Sequence, residues 1–222
     1  MRRNKILIAI VVAVVLTWAV VRATNMFSAF HVPTTSMEPT IKRGEYIFVS
    51  SLKSKALYSV VCYRMKESGG TFHYISRLCG CEGDEVEVRN GHLFLNGKAM
   101  DTNTDLKFRY KIPHPDFEYW KDKDAYPYCG DTAIANLTER EAKTMEQKIH
   151  PILFMAPKGK MDTAILGATE QNGWNVDNMG PFKVPKGYCF IMGDNRDNSL
   201  DSRYKQKGFI KKEDIIGGVL NK

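Results

Sequence analysis

Three stretches concentrate residue types that do chemistry. The first, Val32-Pro33-Thr34-Thr35-Ser36-Met37-Glu38-Pro39-Thr40-Ile41, sets one serine between two prolines. Proline fixes its own φ, so the flanks of Ser36 have little freedom left to lose when the hydroxyl is aimed at a carbonyl carbon. That suits a nucleophile, although the same pattern also serves an ordinary loop. The second stretch, Gly193-Asp194-Asn195-Arg196-Asp197-Asn198-Ser199-Leu200-Asp201-Ser202-Arg203, is dense in carboxylates and amides. A calcium loop starting at Asp194 would place Arg196 and Lys205 where anionic ligands are required, so calcium is excluded. The third is His73-Tyr74-Ile75-Ser76-Arg77-Leu78-Cys79-Gly80-Cys81-Glu82-Gly83-Asp84. Its Cys79-x-Cys81 lacks a second ligand pair and does not make a zinc site.

Short runs rich in β-branched and aromatic residues must position these stretches. Tyr46 to Val49, Val60 to Tyr63, Val86 to Val88, His92 to Leu95 and Tyr188 to Met192 recur between turn residues, which predicts antiparallel sheet. Asn90-Gly91 between two such runs predicts a tight hairpin, because both residues tolerate positive φ, and Asn96-Gly97 predicts another turn. From about Asp101 to Gly180 the composition shifts to Lys, Asp, Pro, Tyr and Trp, and 101–180 reads as an inserted subregion. Inside it Thr138 and Glu141 form a capping box that predicts a helix over Thr138 to Ile149.

Ahead of the first stretch, Arg2, Arg3 and Lys5 precede an apolar run from Ile6 to Val21 that ends at Arg22. At about 1.5 Å per residue the run spans about 24 Å, slightly short of a hydrocarbon core of about 30 Å. Snorkelling by Arg22 and interfacial Met26, Phe27 and Phe30 extend its reach. The basic flank predicts an amino terminus held inside, with everything after Arg22 outside. A cleaved secretory signal has a similar opening, but the run is at the long end for one and no small-x-small site follows promptly.

The net charge of +7 is scattered along the chain, and no nucleic-acid-binding signature accompanies it. On a protein at a bilayer such charge suits anionic lipid headgroups. Five cysteines, Cys62, Cys79, Cys81, Cys129 and Cys189, leave at least one thiol unpaired and suggest no disulfide framework.

Taken together, the Ser36 stretch beyond an apolar anchor, the Gly193 to Arg203 stretch and the Tyr74 to Asp84 stretch resemble three motifs of the bacterial type I signal peptidases. The resemblance implies a mostly β fold of two antiparallel sheet regions with few helices, plus an N-terminal transmembrane helix. It divides the chain into a cytoplasmic segment at 1–5, an anchor at 6–22 and an extracytoplasmic peptidase domain at 23–222. It further implies a serine endopeptidase that cleaves signal peptides from exported preproteins after small residues. The protein would sit single-pass in the bacterial cytoplasmic membrane with the peptidase domain on the outer face. Its partners would be signal peptides, membrane phospholipids and the secretion translocon, with no nucleic acid, metal or organic cofactor.

By the same resemblance Ser36 is the nucleophile, and its backbone N–H and the Thr34 hydroxyl are the oxyanion donors. Ser199 orients the general base, Asp201 and Arg203 form an ion pair that holds the loop, and Asp194 supports it. Val32, Pro33, Tyr74 and Ile75 wall the substrate pockets. One position departs from the motif: Ser76 stands where the family has its general-base lysine. A hydroxyl is a far weaker base than the neutral amine of a buried lysine. Glu82 also replaces a usual proline, Tyr58-Ser59 replaces Gly-Asp, and Tyr204 to Gly208 is longer than usual. Three readings remain open: a noncatalytic paralogue that binds peptides, another group serving as base with His73 the nearest candidate, or a lysine replaced to silence the site. In a strand His73 and Ser76 point to opposite faces, so His73 would need a bulge to serve.

Overall fold

Alternation of apolar and polar residues decides most of the fold. A computed structural model describes residues 2–23, 26–113 and 125–222, with the side chains of 2–3, 18, 20–23 and 148 left out. Helix α1, Arg2–Ala23, opens the chain. The side chains of Arg2, Arg3 and Arg22, on which the expected flanking charge rests, lie outside the described ones. Among the described residues no helix is long and apolar enough to cross a membrane. Those described in α1 nonetheless include nine large aliphatic side chains from Ile6 to Leu16, each half exposed or more.

The largest sheet has seven strands in the order β1-β2-β15-β3-β4-β13-β14, all neighbours antiparallel. They are β1 Phe27–His31, β2 Tyr46–Ser50, β3 Val60–Glu67, β4 Gly70–Cys81, β13 Tyr188–Met192, β14 Ile210–Lys211 and β15 Ile215–Val219. A second sheet orders β12-β5-β6-β7, formed by β5 Glu85–Arg89, β6 His92–Leu95, β7 Lys98–Ala99 and β12 Met179–Lys183. The β5–β6 hairpin turns at Asn90 and Gly91 with φ of 49° and 76°, as the Asn-Gly pair requires.

Where the resemblance implies two sheet regions, the described residues form three sheets. The third, β11-β8-β10-β9, comprises β8 Lys107–Pro113, β9 Tyr126–Cys129, β10 Thr132–Thr138 and β11 Ile152–Leu153. Phe108, Tyr110 and Ile112 alternate along β8 and bury against Ala133, Ala135 and Leu137 of β10. Helix α2, Glu139–Ile149, covers this cluster through Ala142, Met145 and Ile149. Thr138 caps it: the Glu141 N–H donates to Thr138 Oγ1 at 3.0 Å, and the Thr138 N–H donates to the Glu141 carboxylate at 2.8 Å.

Buried ion pairs tie the loop after β13 to the rest. Arg196 is fully buried and forks onto Asp101 at 2.8 and 3.0 Å, while its Nε donates to the Gly193 carbonyl and Nη1 to the Gly91 carbonyl. Arg203, also fully buried, forks onto Asp201 at 2.8 and 2.9 Å and donates to the Arg196 carbonyl. Removing one partner strands a desolvated charge, which costs far more than losing an exposed pair. Asp101→Ala is therefore expected to lower the free energy of unfolding by about 3–5 kcal/mol in chemical denaturation. Glu213→Ala, which breaks the exposed 3.8 Å contact with Lys211, should change it by less than about 0.5 kcal/mol.

Candidate active site

Ser36 sits where a turn leaves the end of β1, and the residues after it fasten that turn. Met37 and Ile41 are fully buried among Val32, Ile47, Val49 and Val60. The Glu38 N–H donates to the Thr35 carbonyl and the Ile41 N–H to the Met37 carbonyl. The hydroxyl of Ser36 stays outside this anchored turn, 3.2 Å from Thr34 Oγ1. That contact is the one hydrogen bond of Ser36 Oγ among the described residues.

The Gly193 loop packs directly on the Ser36 turn. The Asn195 N–H donates to the Ser36 carbonyl at 3.0 Å, the Asn195 amide to the Thr35 carbonyl, and the Asn198 amide to the Thr35 hydroxyl at 2.8 Å. A Cβ on Gly193 would lie 2.2 Å from Ser199 Oγ and 2.5 Å from the Ser36 carbonyl oxygen. Only glycine fits a point where two segments and a third side chain converge. The Gly193 N–H donates to Asp201 at 3.0 Å, so the Asp201–Arg203 pair holds the loop from behind.

A second set of charges joins both segments to β4. Arg77 forks onto Asp194 at 2.7 and 2.5 Å, and Asp194 accepts from the Thr40 hydroxyl four residues after Ser36. Arg77 also donates to the Tyr58 carbonyl, and its guanidinium lies 4.7 Å from the centre of the Tyr58 ring. Tyr58 has φ of 65°, the left-handed region that glycine adopts freely, at a place where the resembling motif carries glycine. Its side chain offsets the strain: the phenol donates to Asp101 at 2.5 Å, and burial together with that carboxylate pushes its pKa up.

Two cavities meet at Ser36. One, of about 260 Å³, is apolar, walled by Phe30, Val32, Ile47, Cys62, Phe72 and Ile75, with Pro33, Thr34, Ser36 and Tyr74 also lining it. The other, of about 570 Å³, runs past Thr34, Ser36, Tyr74, Glu67 and Lys207. Val32, Pro33, Tyr74 and Ile75, expected to wall the pockets, thus all line a cavity that contains Ser36.

Ser76 lines neither. It is buried and donates to the carbonyl of Ile75 at 2.8 Å. His73 stacks on Phe30 with ring centres 5.0 Å apart, at the rim of the apolar cavity. The β3–β4 register runs unshifted from Val60↔Arg77 to Glu67↔Gly70. The bulge that would turn His73 toward the Ser76 side is therefore not there. Sequence reasoning passed over Phe30, Phe72, Cys62 and Lys207 as lining residues. The stretch Tyr204 to Gly208, noted only for its length, holds Lys207.

Comparison with known proteins identifies the family. The family model described as signal peptidase, peptidase S26, matches residues 3–221. Signal peptidase I P of Bacillus subtilis subsp. natto is 30% identical over 215 residues, covering 94% of this chain and 82% of that protein. Signal peptidase I S of Bacillus subtilis is 29% identical over 211 residues, with coverages of 92% and 80%. A signal peptidase I of Enterococcus faecalis of known crystal structure is 19% identical, covers 76% of this chain and 98% of its own, and superposes with a TM-score of 0.35. With its family model matched from residue 3 to residue 221, the chain belongs to the signal peptidase family, peptidase S26.

Proposed function

We propose that the protein removes signal peptides from exported preproteins by attack of Ser36 on the carbonyl that follows a small residue of Ala-x-Ala type. The observation that carries this reading is the meeting of the Ser36 hydroxyl with an apolar cavity of about 260 Å³ walled by Val32 and Ile75. A preprotein would lie extended along β4 and the Ser36 segment as an added strand, its alternate side chains dipping toward Val32 and Ile75. The Ser36 backbone N–H and the Thr34 hydroxyl, 3.2 Å from Ser36 Oγ, are the donors assigned to the developing oxyanion. Ser199, packed on Gly193, and the Asp201–Arg203 pair keep the loop in place behind the nucleophile.

A second reading, binding of peptides without cleavage, draws on Ser76. Its hydroxyl is buried, donates to the Ile75 carbonyl and is far too weak a base to take a proton from Ser36.

The setting assigned to the domain is the outer face of the cytoplasmic membrane, with 6–22 as a single-pass anchor and 1–5 inside. Support comes from the exposed aliphatic side chains of α1 and from an apolar face just beyond it. Phe27 on β1 and Tyr46 and Phe48 on β2 share that face with Ala29, and each of these aromatic side chains is more than half exposed. Anionic phospholipids and the secretion translocon are the partners this placement implies.

Purified full-length protein in detergent should cleave a preprotein with an Ala-x-Ala site, and Ser36→Ala should lower the rate at least about 10³-fold. Retained cleavage in that variant would remove Ser36 from the reaction. Gly193→Ala is expected to abolish cleavage as well, because its methyl group would displace the Ser36 carbonyl or the Ser199 hydroxyl. Replacing both Phe27 and Phe48 with Asp should weaken flotation of the 23–222 domain with anionic vesicles, while detergent-phase cleavage of a short peptide stays within about twofold.

A further inference from the structure

The site lacks a base at residue 76, yet a lysine from another part of the chain lines the cavity that contains Ser36. We propose that Lys207 is the general base for Ser36, supplying from the loop after Arg203 the amine that the family supplies from β4. The proposal rests on the reading of Ser36 as a peptidase nucleophile.

The position of the amine carries it. Because the β3–β4 register is unshifted, Tyr74 and Ser76 lie on one face of β4, and Tyr63 faces Tyr74 across the strand pair. Lys207 Nζ lies 3.4 Å from the centre of the Tyr74 ring and 5.8 Å from that of Tyr63. The amine therefore hangs over the face from which a side chain at 76 would project. Lys207 also lines the cavity of about 570 Å³ that contains Ser36. Among the described residues it is the only lysine in the lining of either cavity at Ser36.

Its backbone is fixed, so the side chain is aimed rather than adrift. The Lys207 and Gly208 N–H groups both donate to the Tyr204 carbonyl, and the Lys205 N–H donates to the Ala164 carbonyl at 2.9 Å. Gly208 turns at φ of 61°, and the chain then enters β14 beside β13. The turn at Tyr204 is what brings residue 207 over the sheet.

The groups around the amine decide its charge. Glu67 on β3 and Asp201 in the loop favour the ammonium, as does the Tyr74 ring face, and Arg43 also lines the cavity. The Glu67 carboxylate accepts the Tyr74 hydroxyl at 2.5 Å, which pushes that phenol up to about 12 and keeps the ring neutral. Burial outweighs the carboxylates and holds Lys207 below the ordinary lysine range. A bound peptide would exclude more water and lower it further. The rival bases are worse placed: Lys107 is tied to Glu38 at 2.7 Å, His73 faces away from Ser76, and the Arg43 guanidinium does not give up its proton.

The neutral Lys207 amine takes the Ser36 Oγ proton as that oxygen bonds to the scissile carbonyl carbon. The resulting ammonium delivers the proton to the amide nitrogen as the C–N bond breaks, releasing the mature amino terminus and leaving an ester on Ser36. The amine then takes a proton from water as the water oxygen attacks the ester carbon. It returns that proton to Ser36 Oγ as the ester bond breaks, so one water is consumed and the enzyme is regenerated.

The test compares the full-length protein in detergent with its Lys207→Met, Lys207→Arg, Ser76→Lys, Ser36→Ala and Ser76→Lys/Lys207→Met variants on one Ala-x-Ala preprotein. The parent should cleave, with kcat/KM rising with pH along a limb below the ordinary lysine range. Lys207→Met and Lys207→Arg should each lose about 10²–10⁴-fold in kcat. KM should stay within about threefold, and the basic limb should vanish. The double variant should regain cleavage, which shows that the fold and Ser36 survive loss of Lys207. Full kcat in Lys207→Met or Lys207→Arg would overturn the proposal while Ser36→Ala remains dead. A silent parent that Ser76→Lys awakens would overturn it too, leaving the Ser36 reading intact. Cleavage that persists in Ser36→Ala would instead overturn that reading and the proposal with it.

Discussion

Three buried guanidinium–carboxylate pairs hold the site together: Arg77 with Asp194, Arg196 with Asp101, and Arg203 with Asp201. Each side chain taken from water carries a desolvation cost that only close, forked contacts and full hydrogen bonding can offset. The pairs meet that condition, and each reaches into a different segment. Arg77 brings β4 to Thr40 through Asp194, Arg196 brings the hairpin at Gly91 and the turn at Asp101 to Gly193, and Arg203 braces Gly193 through Asp201. Apolar packing alone would let these segments slide. Directional charge pairs, costly to break singly, fix where Ser36 and the loop at 193 touch.

The same network explains how the chain tolerates its departures from the family motif. Tyr58 takes a left-handed backbone that glycine would adopt without strain, and its ring and hydroxyl then link Arg77 to Asp101. A local backbone penalty is thereby exchanged for a bridge between two of the three pairs. Glu82, in place of a proline, accepts from the Gly187 N–H at 3.0 Å and so closes the turn before β13. Each of these substitutions has contacts of its own within the fold.

Much of this was legible in residue patterns. Tyr188 to Met192 and His92 to Leu95 are strands over the span that their apolar runs predict, and the Asn-Gly turns fall where positive φ is needed. The capping box at Thr138 marks the start of α2 because two reciprocal hydrogen bonds leave a local signature. The third sheet was harder. Lys107-Phe108-Arg109-Tyr110-Lys111-Ile112 alternates as a half-buried strand should, but Lys and Pro around it obscured the pattern, and its partners lie about twenty-five residues away in β10. Such pairing is set by tertiary contact and leaves no local mark. The segment at 114–124 inside that region lies outside the described residues.

The catalytic amine was the least legible feature, and for a physical reason. A base is defined by the point in space it reaches, and sequence motifs record only the usual route to that point. Residue 76 and residue 207 are far apart in the chain, but the face of β4 that carries Ser76 is also the face covered by the turn before β14. A long, unbranched side chain can approach Ser36 from either side of that gap, provided its backbone is pinned and its amine is partly withdrawn from water. Lys207 meets both conditions, through the Tyr204 turn and through burial against Tyr74. With the amine delivered from above, a lysine at 76 would compete for the same space over Tyr63 and Tyr74. The small, self-satisfied Ser76 is then the residue that the relocated base requires beneath it.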